Sequence, residues 1–263
     1  MQKVVVITGA SSGIGLATAE YLRDQGYIVY SFSRSAPKLD GIQHVACDVS
    51  DRFIIHQAFA TVFEREGRID AVVNNAGMGI SGSMEYQSLP DIHRITSINL
   101  LGVINCCAEA IPYLRESRGR IINIGSLAGE FAIPFQTMYT TTKAGVQAFS
   151  MALLNELRPL GVRVTCILPG DIRTSFTANR VKTDIPNDPV YGDRVRNSVA
   201  RMEHDESHGM PPVSIARAIH RVLTRRNPPH LMTVGFKYKC LRLLKRFVST
   251  KMLNRILYNM YSK

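Results

Sequence analysis

Residues 3–15 constrain the fold more than any other stretch: Lys3-Val-Val-Val-Ile-Thr8 runs straight into Gly9-Ala-Ser-Ser-Gly13-Ile-Gly15. A β-branched apolar run of this length reads as a buried strand, and a helix-period pattern continues from the glycines to Gln25. Strand, glycine turn and helix start in direct succession let a backbone wrap a pyrophosphate. Glycine allows close approach of the main chain, and the free N–H groups of the first helical turn face the anion. The spacing here is Gly-x-x-x-Gly-x-Gly rather than Gly-x-Gly-x-x-Gly, so the rest of the chain has to agree before the turn implies a nucleotide.

The following segments keep the same rhythm. Tyr27–Arg34 reads as a second strand, His44–Val49 as a third ending in Asp48, and Asp51–Glu66 as a helix. Asp70-Ala-Val-Val-Asn-Asn75-Ala76-Gly77 is a strand whose end carries small and amide residues, against which a flat ligand packs. Ser88–Ser117 is a long helical stretch with Asn99 inside it, Arg120–Ser126 a buried strand, and Gly161–Leu168 another, closed by Pro169-Gly170. Val213–Thr224 reads as a helix and His230–Gly235 as a last strand, while residues 174–213 are polar and irregular, as in an active-site lid or a disordered segment. Strands alternating with helices imply an α/β fold: one doubly wound parallel sheet with helices on both faces and right-handed crossovers. A chain of 263 residues, 45% hydrophobic, is enough for one such domain.

Two positions sharpen the chemistry. The end of the second strand is where an acid binds the ribose hydroxyls of an adenosine, and this chain has Ser33-Arg34 there instead. An arginine favours a 2′-phosphate, which predicts NADP(H) over NAD(H). Farther along, Tyr139-Thr-Thr-Thr-Lys143 lies in a helix-period segment running from Thr137 through Leu157, thirteen residues after Ser126. Residues four apart on a helix share a face, about 5–6 Å apart at Cβ. An ammonium beside a phenol, whose ordinary pKa is about 10, favours the phenolate and pulls that value toward neutrality. Ser126 sits at the carboxyl end of its strand, where open parallel sheets bind ligands.

Cysteines 47, 106, 107, 166 and 240 show no metal-ligand or CxxC spacing and read as reduced thiols of a cytoplasmic protein. His204 and His208, four apart, lack an evident third ligand, so no metal is expected. With the first strand starting at Lys3 no leader peptide is expected, and no apolar run approaches membrane-spanning length.

Taken in order, Thr8-Gly-x-x-x-Gly-Ile-Gly15, Asp48-Val49, Asn74-Asn-Ala-Gly77, Asn99, Ser126, Tyr139-x-x-x-Lys143 and Pro169-Gly170 with Thr174 resemble the short-chain dehydrogenase/reductase family. The resemblance covers residues 3 to about 235, and it implies a Rossmann-type fold that interconverts a carbonyl and a secondary alcohol by hydride transfer. It implies that Tyr139 is the general acid or base, that Lys143 lowers its pKa and holds the nicotinamide ribose, that Ser126 binds the substrate oxygen and that Asn99 holds a relay water. Gly9, Ser11, Ser12, Gly13, Ile14 and Gly15 are expected at the pyrophosphate, Asp48 and Val49 at the adenine, Asn75, Ala76 and Gly77 on the adenosine side, and Pro169, Gly170, Ile172 and Thr174 at the nicotinamide. The family commonly forms dimers or tetramers through the helices carrying Asn99 and Tyr139, so a homo-oligomer is expected. Two other readings compete: a ketoreductase acting on 3-oxoacyl carrier-protein substrates, and a non-catalytic NADP-sensing module. The latter is disfavoured because all four catalytic positions are filled.

Beyond residue 235 the chain changes character. The last fifty residues carry twelve Lys and Arg and no Asp or Glu, while the whole chain has a net charge of +11. The first 213 residues are therefore nearly neutral. Thr233-Val-Gly-Phe-Lys-Tyr-Lys resembles the tails of steroid- and retinoid-type members, which points to a bulky apolar ketone or alcohol, with Phe131, Phe135 and Met138 read as pocket wall or core. Residues 236–263 read as two short amphipathic helices capped near Thr250. Leu241, Leu243, Leu244, Phe247 and Val248 form one apolar side, and Met252, Leu253, Ile256, Leu257 and Met260 a second. These stripes are expected to pack on the domain and close the substrate pocket with the cations solvated, and an interfacial anchor on an anionic membrane is the second reading. The tail shows no nucleic-acid recognition pattern.

Overall fold

A computed structural model describes residues 2–183 and 187–262. Lys263, at the end of the expected tail, and 184–186, within the stretch read as irregular, lie outside them. Seven parallel strands form the main sheet in the order β3 (Gln43–Ala46), β2 (Ile28–Ser33), β1 (Val4–Thr8), β4 (Ala71–Asn74), β6 (Arg120–Ile124), β7 (Arg163–Leu168) and β9 (Leu231–Thr233). The order reverses direction between β1 and β4, and such a switch point opens a crevice at the carboxyl ends of the strands.

The alternation within β1 sorts its side chains onto two apolar layers. Val5 and Ile7 face α1 (Gly13–Asp24) and α7 (Val213–Thr224), whereas Val4 and Val6 face the layer formed with α2 (Arg52–Glu66), α4 (Gly102–Ser117) and α5 (Thr137–Leu157). Both faces are covered, so the strands read as continuous apolar runs, each fully buried side chain contributing about 1.5–3 kcal/mol. A buried polar line, Asn74 Nδ2 to Asn123 Oδ1 (2.8 Å) and Asn123 Nδ2 to Ser150 Oγ (2.9 Å), ties β4 and β6 to α5. That line helps fix the helix that carries Tyr139 and Lys143.

Several boundaries differ from expectation. The third strand ends at Ala46, and Asp48 lies past it in the turn before α2, whose cap Asp51 accepts from the N–H groups of Phe53 and Ile54. The stretch 88–117 is not one α-helix: α3 (Leu89–Thr96) and α4 are joined by a π-helical turn, Ser97–Leu101, that contains Asn99. Such turns often mark functional positions. By length and composition Leu89–Ser117 would span a bilayer, contrary to the expectation that no run approaches that length, but its Val103, Cys106, Cys107, Ala110 and Leu114 are buried in the core.

Within the stretch 174–213, read as irregular, two described segments are regular. β8 (Val181–Thr183) pairs in parallel with β5 (Ile80–Gly82), and α6 (Arg194–Ser207) buries Val195, Val199 and Met202 at helical spacing. The excursion is pinched at its base: Met210 N–H donates to Asp171 O (2.9 Å) and Arg173 N–H to Met210 O (3.0 Å). It thereby forms a flap over the carboxyl end of the sheet.

The tail forms α8 (Phe236–Leu244) and α9 (Thr250–Tyr261), with Ser249 rather than Thr250 as the cap. Its polarity differs from expectation. Across α8 and the 3-10 turn Lys245–Phe247 that follows it, the inward side carries Tyr238, Arg242 and Lys245; Arg242 Nε donates to Glu130 Oε1 (2.8 Å) and Lys245 Nζ to Glu130 O (2.7 Å). Leu243, Leu244 and Phe247 point to solvent. On α9 the expected stripe divides, with Leu253 and Leu257 turned inward and Met252, Ile256 and Met260 exposed.

Candidate active site

The turn after β1 is built by conformation first. Gly9 and Gly13 have φ of +67° and +55°, values that side chains other than glycine's tolerate poorly. A Cβ on Gly15 would lie 2.3 Å from Gly9 O and 2.5 Å from Asn75 Nδ2, so the start of α1 is held against the turn with no room for a methyl group. Thr8 Oγ1 accepts from the N–H groups of Asn75 (2.9 Å) and Ala76 (3.0 Å), and Asn75 Nδ2 donates to Thr8 O (3.0 Å). These bonds draw the loop after β4 onto the glycine turn. Ser12, at the cap of α1, accepts no hydrogen bond through its side chain, and the first turn has no acid. The amino end of α1 therefore presents its N–H groups and dipole to the crevice.

At the end of β2, Ser33 is buried and its hydroxyl donates to Ser35 O (2.8 Å), while Arg34 is exposed. Arg94, from α3, stands at the same end of the cavity. Burial works to raise the Asp48 pKa, yet the carboxyl is held below its ordinary value. Ser50 donates to it through N–H (2.9 Å) and hydroxyl (2.7 Å), and Arg34 and Arg94 add positive potential. Two cations with a polar strand end thus occupy the place where an adenosine ribose lies in such folds. Sequence reasoning missed Arg94, sixty positions from Arg34, because only the fold brings α3 to this corner.

The reactive centre gathers on the first turns of α5. Lys143 is 5% exposed; its Nζ donates to Ile124 O (2.8 Å) and lies 5.9 Å from the centre of the Tyr139 ring. Burial pushes its pKa down to about 8. Ser126 follows β6, its Oγ accepting from Ala128 N–H (3.1 Å) and its carbonyl from Gln147 Nε2 (2.8 Å). Tyr139 does not have the lowered pKa expected of it. Desolvation pushes the phenol up to about 12; Ser126's hydrogen bond and Arg180 oppose this, and Glu206 adds to it. Tyr139 therefore holds its proton in the free chain, the state required of an acid.

Asn99 is fully buried. Its Oδ1 accepts from Met78 N–H (2.8 Å) and its Nδ2 donates to Met78 O (2.9 Å), so it clamps the backbone next to Gly77. A Cβ on Gly77 would sit 3.4 Å from Asn99 Oδ1 and 3.8 Å from Lys143 Nζ. Asn99 thus shapes the floor of the cavity without lining it.

A cavity of about 760 Å³ joins these parts, and every expected site residue except Gly15 and Asn99 lines it. It runs from the glycine turn past Ser126, Tyr139 and Lys143 to Pro169, Gly170, Ile172 and Thr174. It then continues beneath Phe176, Asn179 and Glu206 of the flap and the tail residues Tyr238, Leu257 and Tyr261. Phe176 packs on Tyr139 with ring centres 5.7 Å apart. Arg180, buried, pairs with Glu206, whose other oxygen accepts from Thr177 Oγ1 (2.5 Å). Tyr238 lies over Gly170, donating to Asp171 Oδ2 (2.8 Å) and accepting from Asp171 N–H (3.1 Å). Of the three apolar residues left between pocket and core, Phe131 lines the cavity, Phe135 packs against Val195, Val199 and Met202, and Met138 does neither. The sequence marked 174–213 and the tail as segments that could cover the pocket, but not that Phe176, Asn179, Glu206, Tyr238 and Tyr261 are the side chains that reach it.

The geometry fits a dinucleotide: an uncapped helix start behind a glycine turn, cations at the end of β2, and a serine, tyrosine and lysine at the far end. No group of three or more potential metal ligands occurs among the described residues.

Known proteins agree. A family model described as short chain dehydrogenase matches residues 3–185. The chain is 36% identical over 236 residues to a 3-ketodihydrosphingosine reductase of Bacteroides thetaiotaomicron, covering 89% of this chain and 88% of that one. Among solved structures, a short-chain dehydrogenase from Streptomyces avermitilis superposes with a TM-score of 0.82 at 26% identity, covering 94% of each chain. An alcohol dehydrogenase from the archaeon Thermococcus sibiricus, complexed with 5-hydroxy-NADP, superposes at 0.74 and 26%, covering 89% of this chain and 96% of that one. The protein is an NAD(P)-dependent oxidoreductase belonging to the short-chain dehydrogenase/reductase family.

Proposed function

We propose that the chain is an NADP(H)-preferring reductase of a long-chain, lipid-like ketone. The observation that carries the substrate class is the cavity itself. Beyond the Ser126–Tyr139 centre its wall turns apolar, through Phe131 and Ile133 to Leu253, Ile256 and Leu257 of the tail. Such a wall suits an alkyl chain better than a short polar acid. The similarity to a protein named 3-ketodihydrosphingosine reductase supports the same class.

When bound, the nicotinamide supplies the hydride. The chain's own residues do the rest. Ser126 and Tyr139 hydrogen-bond the substrate oxygen, and Tyr139 donates its proton to that oxygen as negative charge develops there. Lys143 supplies the positive charge that makes the phenolate left behind tolerable, and it holds the ribose. Asn99 fixes the backbone at Gly77–Met78, and a relay of protons from solvent to Lys143 past Asn99 is part of the proposal. Phe176 and Tyr238 cover the centre and restrict water. The unit 1–235 carries the chemistry, and 236–263 completes its wall. We assign the expected homo-oligomer to the outer faces of α4 and α5.

The panel that tests this reading pairs NADPH or NADH with 3-ketodihydrosphingosine, a 3-oxosteroid, a 3-oxoacyl carrier protein and acetoacetate. Fastest NADPH oxidation with the long-chain ketone is expected. Preference for acetoacetate or the carrier-protein substrate overturns the substrate class.

The cofactor preference rests on Arg34 with Arg94. Arg34→Ala is expected to weaken NADPH binding by about 1.5–3 kcal/mol, the worth of a hydrogen bond to a charged group, and to leave NADH nearly unchanged. Equal affinities of the native protein for the two cofactors, read by titration calorimetry, would contradict the assignment.

A pH effect follows from Lys143. Its folded pKa of about 8 lies below the 10.5 of a free lysine, so between those values the unfolded chain holds a proton that the folded chain has released. Stability of the free protein from this group is therefore expected to rise from pH 8 toward 10.5. In the same free protein the charge that supports catalysis is lost above about pH 8, so kcat/KM for reduction should fall there. A kcat/KM flat to pH 10 contradicts the role given to Lys143.

A further inference from the structure

We propose that the C-terminal tail seats the mouth of the cavity on an anionic lipid surface. Of the fifteen large apolar residues exposed among the described residues, nine fall within 236–260, and Phe236 and Phe247 are 84% and 80% exposed. So dense an exposed apolar set on one short segment marks an interaction surface. The set arises because α8 and the turn after it direct Arg242 and Lys245 inward to Glu130 and leave Leu243, Leu244 and Phe247 outside.

The location of this surface gives it a purpose. Leu241, Ile256 and Met260 are each at least 40% exposed and also line the cavity. The apolar face of the tail is therefore continuous with the cavity wall, and an alkyl chain leaving an apolar phase at this face meets an apolar path toward Tyr139.

Charge selects the occupant. Among the described residues no acidic side chain pairs with Lys239, Arg246, Lys251 or Arg255, all exposed, and residues 236–263 contain no Asp or Glu. A second copy meeting this face would bring the same unpaired cations against it, whereas anionic headgroups neutralise them while the apolar side chains enter the acyl boundary. Arg242 and Lys245 are already engaged by Glu130 and take no part.

The inference rests on the proposed substrate only for its purpose; binding is measured without catalysis. Full-length protein is floated with vesicles of phosphatidylcholine alone or with a third phosphatidylglycerol, at low and high salt. Flotation with the anionic vesicles, weakened at least tenfold by high salt, is expected. It should be lost in the Leu244→Glu/Phe247→Glu variant and weakened in Arg246→Gln/Lys251→Gln/Arg255→Gln. None of these residues lines the cavity, so turnover of a short soluble ketone should stay within about twofold and act as the folding control. No flotation at low salt, or flotation retained by the Leu244→Glu/Phe247→Glu variant, overturns the proposal. A self-association that this double variant abolishes, without vesicle binding, assigns the face to a second copy instead. If the vesicles bind but 3-ketodihydrosphingosine is not reduced, the docking surface stands and the substrate reading falls.

Discussion

Replacing Tyr139 with Phe is expected to lower turnover by about 10²–10⁴-fold, the range supplied by a positioned proton donor, and to leave NADPH affinity within a few-fold of native. The asymmetry is the point. Only the hydroxyl is removed, the ring can still pack on Phe176 at 5.7 Å, and the proposed function assigns the cofactor chiefly to the glycine turn, Arg34 and Lys143. The phenol's raised pKa strengthens this expectation for the reductive direction, because the proton is present before substrate arrives. Substantial turnover by a well-folded Tyr139→Phe protein would mean that another group delivers the proton.

Gly15→Ala should act on the other half of the reaction. The added methyl would lie 2.3 Å from Gly9 O, a backbone atom that retreats only if the whole turn opens. Overpacking of this kind costs about 1–3 kcal/mol. Opening the turn also withdraws the first N–H groups of α1 from the pyrophosphate position. NADPH affinity is expected to fall by two orders of magnitude or more, about 2.7 kcal/mol. The folded core should survive, because strands β1 and β4 remain paired through Val5–Ala71, Val6–Val72 and Ile7–Val73. Native affinity in Gly15→Ala, measured by titration calorimetry, would show that the turn is not the cofactor cradle.

The parts legible in the sequence share one property: neighbours in the chain determine them. The strand–glycine–helix succession at 3–15, the i, i+4 pairing of Tyr139 and Lys143, and the strand ending just before Ser126 are local patterns, and the fold brings their residues to one cavity. What escaped depends on distant partners. The helix α6 hides Val195, Val199 and Met202 among charged neighbours, and its reason to form is the docking of those three on Phe135, sixty residues away. β8 exists because β5, a hundred positions earlier, offers an edge. The reversed tail has the same origin: a helical wheel turns leucines inward by default, but Glu130 lies 112 residues from Arg242 and draws the cations instead. The Tyr139 expectation failed for a related reason. Sequence supplies the neighbouring ammonium but not the desolvation, and in the free chain burial raises the phenol's pKa and lowers the lysine's.

In the proposed reaction a hydride passes between the nicotinamide and a carbonyl carbon while Tyr139 delivers the proton. The most direct measurement uses NADPH carrying deuterium on the transferring face of C4, with 3-ketodihydrosphingosine in ordinary water, and product analysis by mass spectrometry and NMR. One deuterium at the carbinol carbon per NADPH consumed, with about 10²–10⁴-fold less labelled product from Tyr139→Phe in the same time, is the expected result. Product without deuterium at that carbon under either stereospecific label, or equal incorporation by native and Tyr139→Phe proteins, would contradict it.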